Sequence, residues 1–248
     1  MVSLGIWTGR RASAVVADGT AVLAAAEDTW ITRKSSSGFP AGAVDAVLDA
    51  AGLRLRDVER VVVVSRFPLR WTPAVRRCRI LAPISGISVE RALSTALAAG
   101  APEFEGAAAV GAAFAGEKLA DGTLAGASAW GPAYDEQACY RALSAASLPR
   151  DKVDDADAVA ASLLASNREV VRFSGRLRFG FPGPERCVLL PARVAGLPTH
   201  GVGGMLYSYR PLLGVDGIIC CSPGDAVRWW RAGHGQSALI GPWLLRRD

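Results

Sequence analysis

The opening of the chain constrains its fold most strongly. It contains three short apolar or alternating runs, "SLGIW", "ASAVVAD" and "AVLAAAEDTW", separated by "TGRR" and "DGT". The Asp18–Gly19 pair is a strong signal for a tight turn, so these runs predict a β-meander. Next, "FPAGAVDAVLDAAGL" predicts a helix with Pro40 near its start and Gly52 at its end, and "VERVVVVSRF" predicts a buried strand. The resulting β-β-β-α-β order differs from a simple alternation of strands and helices.

The remainder of the chain predicts an α/β fold. Helices are expected at "ISVERALSTALAAG", "EGAAAVGAAFAGEKLA", "YDEQACYRALSAASLP", "DDADAVAASLLASN" and "GDAVRWWRAGH". Strands are expected at "REVVRFSGRLRFG" and, closing the chain, "SALIGPWLLRR". Because glycines interrupt "VGGMLYSYRPLLGVDGIICCSP", we expect that stretch to be irregular, ending in a strand on which Cys220 and Cys221 face opposite ways.

Composition favours a cytoplasmic protein without nucleic-acid or membrane partners. The 248 residues fit one large domain or two small ones, and the net charge of +5 comes from scattered arginines that suit solvated faces. A nucleic-acid site would need basic residues clustered with stacking aromatics. The apolar runs are of strand length, the first residues do not resemble a signal peptide, and the five cysteines lack metal-ligand spacing. These features predict a reduced, intracellular protein.

The stretch "SGRLRFGFPGPER", residues 174–186, carries three arginines among glycines and prolines. A guanidinium grips a phosphate or carboxylate through two parallel hydrogen bonds, and glycine lets the backbone approach a ligand closely. Arg176 and Arg186 are therefore candidate anion ligands. The alternative is that Arg176 pairs with a surface aspartate.

Four separated blocks resemble a known family. They are the opening through "TRKSSSGFP", then "PEFEGAAAVGAAFAG" with "WGPAYDEQ", then "DDADAVAASLLASNREVVRFSGRLRFG", and finally "IICCSPGDAVRWWRAGHGQSALIGPWLLRR". In this order they resemble the O-carbamoyltransferases of antibiotic and nodulation-factor biosynthesis. The resemblance implies a sugar-kinase-like front half, residues 1–125, and a small mixed α/β back half, residues 126–248. In that family the back half activates carbamoyl phosphate with ATP. Family members are much longer, so this chain resembles one with internal stretches deleted.

The metal-binding motifs of that family have no counterpart here. Its His-x-x-x-His pair is absent, since the two histidines, His200 and His234, lie far downstream. Glu105 stands where the family has an aspartate, and one carboxylate without imidazoles makes a poor transition-metal site. The family's His-His-Asp-Ser turn reads "RRAS", beginning at Arg10 and keeping Ser13. We therefore expect neither a metal nor another cofactor.

Other family positions are retained or altered. Arg176 matches the family's Gly-Arg-x-Glu-Phe-Gly-Pro-Arg signature, whereas Arg178 replaces its glutamate. "YRPLL", beginning at Tyr209, replaces a small polar loop. Arg33 and Lys34 match a basic pair that approaches the anionic substrate in the family; the alternative is a solvated turn.

These observations lead to a first functional hypothesis, a degenerate carbamoyltransferase relative acting in bacterial specialised metabolism. It would take a small organic substrate through a cyclisation, isomerisation or condensation, without metal or carbamoyl phosphate. The candidate catalytic residues are Arg176, Tyr209 and His234, although His234 also suits a helix C-terminus. The candidate substrate-binding residues are Arg10, Arg33, Lys34, Arg178 and Arg186.

Two alternatives remain. One is a minimal O-carbamoyltransferase that uses carbamoyl phosphate and ATP. The other is a non-catalytic partner protein, which includes a homo-oligomer formed through the Ala-rich helix and predicts an exposed apolar patch.

Overall fold

The computed structural model describes residues 1–19, 21–34, 38–65, 84–99, 101, 106–117, 123–124, 129–180 and 183–247. The chain groups into two compact units, which we describe separately. The first comprises Met1–Pro132 and Arg178–Phe181, and the second comprises Ala133–Leu177 and Pro182–Asp248. Among the described residues, no helix has both the length and the apolar character needed to cross a membrane.

The first unit contains a five-stranded mixed sheet in the order β3-β2-β1-β4-β5. Its strands are β1 (Val2–Trp7), β2 (Ser13–Asp18), β3 (Ala21–Glu27), β4 (Arg60–Val64) and β5 (Ile84–Ile87). Strands β1 to β3 are antiparallel neighbours, whereas β4 and β5 continue the sheet in parallel. The predicted meander and buried strand are thus confirmed. The tight turn after Asp18 uses Gly19 at φ 58°, a conformation that glycine adopts without strain.

Small residues let the helices of the first unit approach the sheet closely. These helices are α1 (Asp28–Thr32), α2 (Ala41–Ala50), α3 (Val89–Ala98) and α4 (Ala107–Ala113). Every residue of α4 is buried. A methyl group on Gly5 would overlap the Ala109 carbonyl, and one on Gly111 would overlap the Ala92 carbonyl. Because α4 is enclosed by β1 and α3, it does not supply the exposed apolar patch that the partner-protein alternative predicts.

The second unit contains a seven-stranded mixed sheet in the order β6-β12-β11-β7-β8-β10-β9. Its strands are β6 (Asp151–Lys152), β7 (Val170–Phe173), β8 (Arg186–Leu189), β9 (Thr199–Val202), β10 (Met205–Pro211), β11 (Ser237–Ile240) and β12 (Trp243–Arg246). Strands β7 and β11 pair in parallel, and the other neighbouring pairs are antiparallel.

Three helices of the second unit match the sequence predictions and begin at side-chain caps. They are α5 (Glu136–Ala145), α6 (Ala156–Ala165) and α7 (Pro223–Arg231). Asp135, Asp155 and Ser222 accept hydrogen bonds from backbone N–H groups in the first turns of these helices. Such caps satisfy N–H groups that have no partner within the helix.

The C-terminal third contains most of the errors of sequence-based prediction. The stretch expected to be irregular, which begins at Val202, contains the turn and the second strand of the β9–β10 hairpin. Gly203 and Gly204 form this turn at φ 55° and 79° rather than interrupting structure. The expected single closing strand is the hairpin of β11 and β12. Cys220 and Cys221 lie outside the strands and are both buried, so the predicted alternation of their side chains is wrong.

Candidate functional site

The turn between β1 and β2 presents two arginines in the first unit. Arg10 is exposed, and its carbonyl accepts a hydrogen bond from Trp7 Nε1 at 3.0 Å. Arg11 has a left-handed backbone at φ 57° and donates through Nε and Nη2 to the two carboxylate oxygens of Glu27, at 2.9 and 2.6 Å. This bidentate pairing fixes the direction of the Arg11 side chain.

Glu27 is a buried acid at the end of β3. It is 2% exposed, whereas the side chain of Arg11 is 45% exposed, so the ion pair reaches solvent from the arginine side. Burial raises the pKa of Glu27 above its ordinary value, and the hydrogen bond and charge of Arg11 act in the opposite direction. A partly exposed cation is therefore held in place by an acid that water barely reaches.

A second basic segment follows α1. Arg33 ends this helix at φ 59° and donates its backbone N–H to the Thr29 carbonyl at 3.1 Å, while the neighbouring Lys34 is exposed. At the other end of α1, buried Asp28 accepts a hydrogen bond from the N–H of Ala43 at 3.0 Å, which ties α1 to the first turn of α2. The position of the Arg33–Lys34 pair is thus set by two neighbouring helices.

A third basic segment of the first unit is Arg178–Gly180. Phe179 is 0% exposed; its ring meets Trp30 edge-on at a centroid distance of 5.9 Å and lies 6.5 Å from the ring of Trp130. The Gly180 carbonyl accepts a hydrogen bond from Arg11 Nη2 at 3.3 Å. Arg178, which precedes the buried ring, is exposed.

Three distant parts of the sequence therefore meet within the first unit. The segment holding Arg178 contacts the β1–β2 turn through Arg11 and contacts α1 through Trp30. We call the five cations that these segments carry the basic cluster: Arg10, Arg11, Arg33, Lys34 and Arg178. The three contacting segments thus carry four of the predicted substrate-binding residues, together with Arg11, and the role of these residues in binding stays a prediction.

The fifth predicted ligand, Arg186, occupies a different environment in the second unit. Its side chain is 0% exposed, and its guanidinium donates to the carbonyls of Ser174, Gly175 and Glu185. Its Cζ lies 3.7 Å from the centre of the Phe173 ring, the geometry of a cation–π contact. Arg186 therefore closes the base of the loop between β7 and β8, which is a structural position.

Burial controls the ionisation of the groups around Arg186. It lowers the pKa of Arg186 to about 10, against the opposing influence of nearby Cys139 and Cys221. Burial also raises the pKa of Tyr134 to about 12 and raises the pKa of the Cys139 thiol. These groups remain protonated at neutral pH, so neither Tyr134 nor Cys139 has the low pKa of an activated nucleophile.

The three predicted catalytic residues lie on separate elements of the second unit. Arg176 is half-buried in the loop after β7 and forms a β-bridge with Ala133. Tyr209, 9% exposed, lies in β10 opposite Leu189. His234 is exposed beyond the end of α7, with its ring 5.2 Å from that of Trp229. Their shared catalytic role stays a prediction.

Among the residues that the structure describes, no three His, Cys, Asp or Glu side chains are grouped so that they could hold a metal ion. Glu105, the carboxylate that the family resemblance singles out, lies outside the described residues.

Sequence reasoning missed Glu27 and the anchoring role of Phe179. A signal for Glu27 was present, since it is a charged residue at the end of an otherwise apolar strand, opposite Ser13 in the neighbouring strand. Phe179 matches the phenylalanine of the family signature, but that match does not tell which residues its ring contacts. Its partners Trp30 and Trp130 are distant in the sequence, and tertiary folding brings them together.

Comparisons with known proteins leave the family of this chain open. No protein-family model matches the sequence, and no curated protein matches it. Among solved structures, YeaZ from Pseudomonas aeruginosa is similar at 17% sequence identity with a TM-score of 0.27. The alignment covers 38% of this chain and 46% of YeaZ, less than half the length of that protein. A likeness at this level carries no argument about fold or function.

Proposed function

We propose that this protein is a shortened relative of the O-carbamoyltransferases, repurposed to act on a small organic anion in bacterial specialised metabolism. In this proposal the first unit is sugar-kinase-like and the second derives from a carbamoyl-activating domain. The antiparallel meander continued by parallel strands supports the first assignment, and the mixed α/β architecture of the second unit supports the other. Neither a metal nor carbamoyl phosphate takes part.

The observation that carries the proposal is the basic cluster. Its five cations come from three sequence segments that contact one another, and one of them, Arg11, is held by the buried carboxylate of Glu27. All of these cations except Arg33 are exposed, and a surface that carries several cations attracts an anionic ligand. Guanidinium groups also stabilise a carboxylate or a developing enolate, which suits cyclisation, isomerisation or condensation. Tyr209 and His234 belong to the second unit, and proton transfer by either stays a separate prediction.

Calorimetric titration of the purified protein tests this proposal. The probes are citrate, inorganic phosphate, and carbamoyl phosphate with and without ATP. We expect citrate or phosphate to bind, and the Arg178→Ala and Lys34→Ala variants to lose about tenfold in affinity, because each removes one charge-assisted contact. Arg193→Ala removes an exposed loop arginine of the second unit and is the matched control. We expect it to leave the affinity unchanged.

The same titration separates the alternatives. Micromolar binding of carbamoyl phosphate, with ATP-dependent product formation, would replace the proposal by a minimal carbamoyltransferase. If none of the probes produces heat at millimolar concentration, the proposal fails and a non-catalytic partner protein becomes the better hypothesis.

A further inference from the structure

We infer that Phe179 is the positioning residue of the basic cluster. Its buried ring anchors the segment that carries Arg178. The environment of the two tryptophans that contact this ring, Trp30 and Trp130, changes when an anion binds to the cluster. The anchoring follows from geometry in the first unit alone. The link to a ligand rests on the proposed function.

The anchoring has two parts. The first is the Phe179 ring, fully buried and in contact with the rings of Trp30 and Trp130. Edge-on aromatic pairs of this kind add to the stability already gained from burial of apolar area. The second is the hydrogen bond from Arg11 to the Gly180 carbonyl, which fixes the backbone one residue further on. The backbone of Arg178, one residue before the ring, is therefore held in a defined position, although the Arg178 side chain is exposed.

The same contacts connect the cluster to two tryptophans, Trp30 and Trp130, whose resonances can be followed by NMR. Trp30 lies in α1, three residues before Arg33, and it touches the ring that follows Arg178. An anion that draws these cations together shifts the segment against Trp30 and Trp130. The resonances of these two tryptophans are therefore expected to change on binding, in contrast to those of Trp229 and Trp230, which pack in the core of the second unit.

Limited digestion with trypsin tests the anchoring without any ligand. In the native protein we expect the bond after Arg178 to be protected, because the next residue, Phe179, is buried. The bond after Arg193 lies in an exposed loop and serves as an internal standard. We expect Phe179→Ala, and to a smaller degree Phe179→Leu, to raise cleavage after Arg178 by about tenfold or more relative to Arg193. Phe114→Leu is the matched control, since Phe114 is also buried in the first unit, at 1% exposed, but lies at the C-terminal end of α4 and not in the segment that carries Arg178.

Fluorine NMR on fluorotryptophan-labelled protein, titrated with inorganic phosphate, tests the link to the ligand. Trp30→Phe and Trp130→Phe assign the resonances. We expect the Trp30 and Trp130 resonances to move with phosphate. We also expect Phe179→Leu to weaken phosphate binding as much as Arg178→Ala does, while Phe114→Leu binds normally.

The outcomes distinguish the two proposals. If Phe179→Leu and Phe179→Ala keep native cleavage after Arg178, the anchoring is refuted whatever the protein binds. If the native protein binds phosphate and Phe179→Leu binds it equally well, the positioning role is refuted and the proposed function stands. If native protein binds none of the anionic probes, the proposed function fails, and cleavage after Arg178 alone decides the anchoring.

Discussion

Replacement of Arg186 by methionine separates two opposing effects of a buried cation. The variant keeps a long unbranched side chain but removes the donors that hold the carbonyls of Ser174, Gly175 and Glu185. Gly175 is exposed and its carbonyl regains water, so we count the loss at the other two residues, which are half-buried. The Ser174 carbonyl is left without a donor, which costs about 1–3 kcal/mol. The Glu185 carbonyl keeps its hydrogen bond from the Ser174 N–H, so the loss of its second donor costs only about 1 kcal/mol. The lost contact with the Phe173 ring adds about 2 kcal/mol.

The opposing effect is the cost of burying the charge. The pKa of Arg186 falls from 12.5 to about 10 on folding. A lowering of this size corresponds to about 3 kcal/mol of instability at neutral pH, which methionine removes. The lost contacts amount to about 5 kcal/mol in the middle of the range above, so we expect Arg186→Met to destabilise the second unit by about 2 kcal/mol.

The assay is urea denaturation of the variant and the native protein, monitored by hydrogen exchange at the backbone amides of β7 and β8. These two strands flank the loop that Arg186 closes. Arg193→Met, an exposed arginine of the same unit, should change stability by less than about 0.5 kcal/mol. Arg186→Lys should fail to restore stability, because an ammonium lacks the planar fork that reaches three carbonyls. If Arg186→Met is as stable as the native protein or more so, the burial cost dominates and our account of the loop is refuted.

Two further predictions concern the first unit. Gly111→Ala places a methyl group on the Ala92 carbonyl, so α3 and α4 must move apart; we expect a loss of about 1–3 kcal/mol in urea denaturation, and a neutral effect would show that the helices separate freely. Glu27→Gln tests the buried acid. Because the pKa of Glu27 is raised in the folded state, the contribution of Glu27 to stability is largest below its ordinary pKa of 4.5. That contribution is lost as the pH rises through the raised pKa. In urea denaturation at pH 7 and pH 4, the native protein should therefore gain stability relative to Glu27→Gln on acidification, and an unchanged difference between the two proteins would contradict the raised pKa.

Local sequence signals were reliable where a short segment sets its own structure. The Asp18–Gly19 turn, the Pro40 and Gly52 boundaries of α2, and the periodic apolar positions of the helices predicted those elements correctly. The same reasoning failed at Gly203 and Gly204, because a glycine pair signals both a break in structure and a hairpin turn. Pairing with a neighbouring strand decides between these two meanings, and that pairing involves residues outside the local window.

The candidate site shows the same difference between what local sequence predicts and what distant contacts decide. Residue type and local spacing singled out Arg10, Arg33, Lys34 and Arg178 as cations of interest, and charge is a property that sequence reports directly. Tertiary structure decided which arginines stay near solvent and which are enclosed. Arg178 is exposed beside a buried ring, whereas Arg186, eight residues later, is buried and holds backbone carbonyls.

The sequence by itself thus determined the meander, most helices, the net positive charge and the identity of the basic residues. Only the tertiary structure decided that three separated basic segments meet around Phe179, and that Glu27 is buried beneath Arg11. The physical reason is that turns and helices depend on interactions between near neighbours, whereas burial and ion pairing depend on contacts between residues far apart in the chain.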